Sequence, residues 1–117
     1  MDSVKITLKQ HQSLVEDGSW AKMSFAEQMG NIGSEVSRSL KWYKRKPERF
    51  EGAFERALEL FDLTIFYLRG EDSAALEEIC LAREEFCDYF YGHELHTDPA
   101  KMQKYYDDFA MKARRMS

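Results

Sequence analysis

Apolar residues recur along most of this chain at alternating spacings of three and four, the mark of helices that each hide one face. The first stripe is Phe25, Met29, Ile32, Val36, Leu40 and Tyr43. Just ahead of it, Ser24-Phe25-Ala26-Glu27 reads as a capping box, in which the Ser24 hydroxyl and the Glu27 carboxylate each accept a backbone amide. The spacing predicts a helix from there to about Arg45. Pro47, suited to a first helical turn because its missing amide costs nothing there, restarts the chain. A second stripe follows at Phe50, Phe54, Ala57, Phe61, Ile65 and Leu68, closed by Arg69-Gly70. Asp72-Ser73 caps a third helix carrying Leu76, Ile79, Cys80, Phe86, Cys87 and Phe90, which ends at Gly92. After a polar loop, Asp98-Pro99 opens the last helix, with Met102, Tyr105, Tyr106, Phe109, Ala110, Ala113 and Met116 on its stripe.

Four such helices joined by short loops predict an all-α fold, an up-down-up-down four-helix bundle formed by residues 19–117. Residues 1–18 form an N-terminal extension. Ile6, Leu8, Leu14 and Val15 fit either a strand-like arm or a loose helical turn, and Asp17-Gly18 ends it. Gly30 and Gly33 sit inside the first helix, where each costs about 1 kcal/mol against alanine. Close approach of another helix is the compensation expected.

Several charged groups fall where polarity is expensive. Asn31, Glu35, Arg38 and Trp42 share one stripe, Asp62 interrupts the second helix, and Arg83 falls within the apolar stripe of the third. An isolated buried charge does not persist, so these groups need partners or water. One reading is a polar cluster of Asn31, Glu35, Arg38, Asp62 and Arg83, inside the bundle or at a dimer seam. The other is that each lies at the edge of its stripe and reaches solvent.

Composition narrows the class. At 117 residues the chain is one domain, and 44% apolar residues with eight Phe argue against disorder. Net charge is −4, which gives no overall drive toward nucleic acid. No run approaches the roughly 18 apolar residues of a membrane span, and the polar N-terminus does not read as a signal peptide. A cytoplasmic location is the expectation. Cys80 and Cys87 lie two helical turns apart, about 10.5 Å, too far for a disulfide within one helix, and read as buried thiols.

Lys41-Trp42-Tyr43-Lys44-Arg45-Lys46 interleaves cations with aromatics, the composition that holds phosphates and stacks bases. Cations at a helix C-terminus are also favoured by the dipole alone. In an up-down-up-down bundle this pole lies beside Tyr91, His93 and His96, making Lys41, Trp42, Lys44, Arg45, Lys46, Tyr91, His93 and His96 a candidate ligand or phosphate site. His93, His96 and Cys87 offer metal-ligand chemistry, but surface histidines are the simpler reading. The Glu-x-x-His pairs of a di-iron bundle are missing. No catalytic residue, metal or cofactor is assigned.

The runs Ala26-Glu27-Gln28, Asn31 to Arg38 and Glu55 to Ile65 resemble a family of small uncharacterised prokaryotic all-helical proteins, over about residues 20–115. The resemblance implies no activity. A looser similarity is to HEPN-type helical bundles, often directed at RNA or paired with nucleotidyltransferases. Their ribonuclease motif is Arg, four to six residues, then His, and none of His11, His93 or His96 stands at that spacing. The expectation is a non-enzymatic interaction module, homodimeric, binding a protein partner. A nucleotide- or RNA-associated accessory protein using the basic pole is the alternative. An enzyme drawing on Glu35, Arg38, Asp62 and Arg83 comes third, and requires those side chains to meet in an accessible pocket.

Overall fold

The computed structural model describes residues 12–92 and 97–116, which form helices and connecting turns with no strand among them. Two short helical pieces, α1 (Gln12–Glu16) and α2 (Ser19–Lys22), precede four long ones. These are α3 (Phe25–Trp42), α4 (Pro47–Leu68), α5 (Ser73–Cys87) and α6 (Pro99–Met116). A π-type turn, Asp88–Gly92, extends α5. Ile6 and Leu8 lie outside the described residues.

Helix starts follow their sequence signals. Ser24 Oγ accepts the amide of Glu27 at 3.1 Å while Glu27 Oε1 accepts the amide of Ser24 at 2.8 Å, so both halves of the capping box form. Asp72 Oδ1 accepts the amide of Ala75 at 3.0 Å, Pro47 occupies the first turn of α4, and Gly70 takes a left-handed φ of 80°. The end of α3 differs from expectation. It stops at Trp42, not Arg45, because Lys44 adopts φ 62° and the amides of Arg45 and Lys46 turn back to the Trp42 carbonyl at 2.9 Å.

The core is built on α3. Met29, Ile32 and Val36 are fully buried against Phe61 and Leu63 of α4 and Tyr106 of α6. Trp20, in the short α2, is buried too; its indole Nε1 donates to Thr64 Oγ1 at 3.0 Å, and Gln28 Nε2 donates to the Trp20 carbonyl at 2.9 Å. Both hydrogen bonds satisfy groups that burial would otherwise penalise, and they pin the N-terminal segment to α3 and α4. Leu14 of α1 packs against the same core. At the opposite end, rings from three elements interlock. Tyr43 lies 4.9 Å from Phe90, Phe50 lies 5.0 Å from Phe90, and Phe54 stacks on Phe86 at 5.0 Å.

Gly30 and Gly33 do what their position implied. A Cβ on Gly33 would stand 2.5 Å from Tyr106 Cβ, and one on Gly30 would stand 3.2 Å from Ala110 Cα. The pairing of 30 with 110 and 33 with 106 runs α6 antiparallel to α3, at a separation that at position 33 leaves no room for a Cβ. The stripe of α5 is corrected in one respect. Ala75, Ile79, Ala82, Phe86 and Phe90 face inward, Leu76 and Cys87 are half-buried, and Cys80 is exposed. Cys80 is therefore not the buried thiol that its spacing suggested; two alanines, too small to stand out as a stripe, take the inward positions and rotate it to the surface.

Candidate functional site

The polar residues singled out from the sequence fall on two different seams. Glu35, nearly buried on α3, accepts from Arg38 Nη1 at 3.1 Å and from Arg56 Nε at 3.1 Å. Arg56 stands on α4 and was missed by stripe analysis, because its place beside Glu35 depends on the pairing of the two helices. Asp62 of α4 meets Arg83 of α5, with Nε to Oδ1 at 2.8 Å and Nη2 to Oδ2 at 3.5 Å. Asn31 Nδ2 donates along its own helix to the Glu27 carbonyl at 2.9 Å. Of these, Glu35–Arg56 ties α3 to α4 and Asp62–Arg83 ties α4 to α5, while the Arg38 and Asn31 bonds stay within α3. Asn31, Glu35 and Arg38 line a cleft of about 280 Å³ with Leu14, Trp20 and Met23, whereas Asp62 and Arg83 belong to the α4–α5 seam. The enzyme reading needed all four charges in one pocket, and this distribution gives it no such site.

At the basic pole, Lys41, Lys44, Arg45, Lys46 and Arg49 are all exposed. Trp42 carries two cations: Lys41 Nζ and Arg49 Cζ each stand 4.8 Å from its ring centre. Lys44 Nζ stands 5.3 Å from the ring of Tyr43, whose hydroxyl donates to the Phe90 carbonyl at 3.3 Å. Tyr91 reaches the same end, 5.2 Å from Phe54 and 6.4 Å from Phe50. The pole is thus an aromatic plug ringed by cations. His93 and His96 lie outside the described residues. Among the described residues, no group of three or more His, Cys, Asp or Glu side chains is placed to hold a metal ion.

A site that stripe analysis did not reveal lies between α5 and α6. Glu78, Leu81, Ala82 and Glu85 of α5 face Lys101, Met102, Tyr105 and Tyr106 of α6 across a groove of about 300 Å³. Ala82, Met102 and Tyr106 are buried and form its apolar floor. Leu81 stands on its lip, 60% exposed. One direct bond spans the groove, from Tyr105 Oη to Glu78 Oε2 at 2.6 Å. Burial, reinforced by that carboxylate, pushes the Tyr105 phenol well above its ordinary pKa; burial does the same to Tyr106. Both stay protonated at neutral pH, so the lip is acidic through Glu78 and Glu85 and the wall is neutral and aromatic. Burial also raises the Cys87 thiol, which disfavours its thiolate.

The groove has a simple origin. The short side chain of Ala82 leaves room on α5, opposite the rings of Tyr105 and Tyr106 on α6. Its chemistry suits an apolar side chain on a helix that also carries cations. In comparison with known proteins, the chain matches no family model, no curated protein and no solved structure.

Proposed function

We propose that this chain is a non-enzymatic interaction module, an up-down-up-down helical bundle that receives a helix of a protein partner in the α5–α6 groove. The groove itself carries the reading: an apolar floor, an acidic lip and a large exposed leucine in one place. Helix-in-groove recognition needs those features, with apolar anchors at helical spacing and charges at the rim. The antiparallel pairing of α6 with α3 supports the topology, as do Glu35–Arg56 between α3 and α4 and Asp62–Arg83 between α4 and α5. Among the described residues no helix is long and apolar enough to cross a membrane. The free thiols of Cys80 and Cys87 accord with a reducing compartment.

Fluorescence anisotropy with a labelled basic amphipathic helix of leucine and lysine tests the reading. The chain binds this probe, and Leu81→Glu weakens binding at least about ten-fold, the loss of one apolar anchor plus an added charge at the contact. Equal binding by the two proteins contradicts it.

The exposed cations around Trp42 favour a second reading, a nucleotide- or RNA-associated accessory protein of HEPN-like kind. There, the triple reversal Lys44→Glu, Arg45→Glu, Lys46→Glu abolishes binding of a labelled single-stranded RNA, and wild-type binding falls steeply with salt. RNA binding unaffected by the reversal removes this reading.

A further inference from the structure

The groove has an acidic lip and needs a basic, apolar helix. One such helix is on the same chain. The last turn and a half of α6 presents Met111, Lys112, Arg115 and Met116, all exposed, with Met111 at 44% and Met116 at 64%. At 100° per residue these four positions fall on one face about 140° wide. Met111 and Met116 are two of the four large apolar residues most open to water, and Leu81 on the groove lip is a third. The α5 segment bordering the groove carries Glu77, Glu78, Glu84 and Glu85 against a single cation, Arg83. Arg83 is engaged by Asp62, away from the lip. The α6 tail carries Lys112, Arg114 and Arg115 with no acid between Met111 and Met116.

The tail cannot fill its own groove. It continues the same straight helix whose first half, Lys101 to Tyr106, forms one wall, and it points away along the helix axis. Met111 lies about 7.5 Å beyond Tyr106 at 1.5 Å per residue. A second copy meets no such obstacle. Two chains related by a two-fold axis would each place their tail in the other's groove, because an isologous contact supplies both halves at once.

Resting on the groove as a helix-docking site, we infer that its occupant is the Met111–Met116 segment of a second copy of this chain, giving a reciprocal dimer. Met111 and Met116 enter against Leu81, Ala82 and Met102, and the flexible thioether side chains adapt to an irregular floor. Lys112 and Arg115 meet Glu78 and Glu85 on the α5 side. Lys101 is the one adverse charge among the lining residues, and it stands on the opposite, α6 side. Where the two α6 helices cross near their middle, Asp108 is already matched by Lys104 of its own chain, Nζ to Oδ2 at 3.0 Å. That pairing partly offsets like-charge repulsion at the axis.

Sedimentation velocity on the full chain decides it, with circular dichroism confirming that each variant is folded. The wild type dimerises at tens of micromolar. Arg115→Glu and Glu85→Arg each raise the dissociation constant at least about ten-fold, and the double variant recovers most of the loss, as a reversed charge pair requires. Met111→Ser with Met116→Ser gives a monomer over the same range. A wild type that stays monomeric yet binds the leucine–lysine probe overturns the self-partner and leaves the groove reading standing. A monomer that ignores the probe overturns both. A dimer unmoved by tail and groove changes alike overturns the inference, since the contact then lies elsewhere.

Discussion

Helix α6 meets α3 and α5 in opposite ways. Against α3 it closes down on Gly30 and Gly33, so near that a Cβ on Gly33 would overlap Tyr106. Against α5 it stands off, and the space between is bridged by the Tyr105–Glu78 hydrogen bond above an apolar floor. The same pair of tyrosines serves both sides: Tyr106 fills the glycine notch, and Tyr105 props the other seam open. Small residues facing large ones give a filled interface, whereas alanine facing paired rings with carboxylates on the rim leaves a concavity that a further helix can fill. The first seam is packed shut, and the second is the one proposed above for recognition.

The sharpest way to break the contrast is to remove its pivot. Tyr106→Ala empties a fully buried position shared by both seams and should cost about 3–5 kcal/mol in urea unfolding. A loss under about 1 kcal/mol would mean that α6 is not anchored through this ring. Gly33→Ala isolates the closed seam. Overpacking against Tyr106 costs about 1–3 kcal/mol and the better helix former returns about 1 kcal/mol, so a net destabilisation is expected. Gly30→Ala, whose Cβ meets Ala110 at a distance that a small shift relieves, should be close to neutral. The ordering of the two glycine variants carries more weight than either value.

The open seam responds to pH instead. Burial holds the Tyr105 and Tyr106 phenols above the ordinary value of 10.0. The folded state therefore keeps protons that the unfolded chain releases. Their contribution to stability is complete below about pH 10 and declines as pH rises beyond it. Urea midpoints across that range should fall, and tyrosinate absorbance from these two rings should emerge only with unfolding. Tyr105→Phe removes the bridge to Glu78 for ~1 kcal/mol or less, because the carboxylate can turn to water. Smallest of all is Leu81→Glu, expected within about 0.5 kcal/mol of wild-type stability, although the proposed docking should weaken at least about ten-fold. A large loss of stability in this variant would show that Leu81 supports the fold, and the contrast between the seams would fail.

What the sequence disclosed depended on whether the signal was local. Ser24 with Glu27, Asp72, Pro47 and Gly70 act within a few residues of themselves, and each appears where the pattern put it. The glycine pair was legible because its cost demanded a close neighbour, though not which neighbour. Signals that depend on pairing were not legible. Arg56 joins Glu35 only once α3 and α4 are in register, and Asp62 with Arg83 separates from that group for the same reason. Trp20 gave no helical stripe, being on a single turn; its burial comes from partners as distant in sequence as Thr64. Cys80 looked apolar and inward, yet Ala75 and Ala82 decide the rotation of α5. The groove follows from that rotation, so no reading of α5 or α6 alone could have found it.

Methionine methyl NMR across a dilution series tests most directly whether the open seam is a docking face filled by a second copy. Met102 lies on the groove floor, Met111 and Met116 on the tail, and Met29 at the centre of the α3 core. On dilution from hundreds to a few micromolar, the resonances of Met102, Met111 and Met116 should shift together along one binding curve while Met29 stays fixed. Positions that hold constant for all four, or a tail that shifts without Met102, would contradict it.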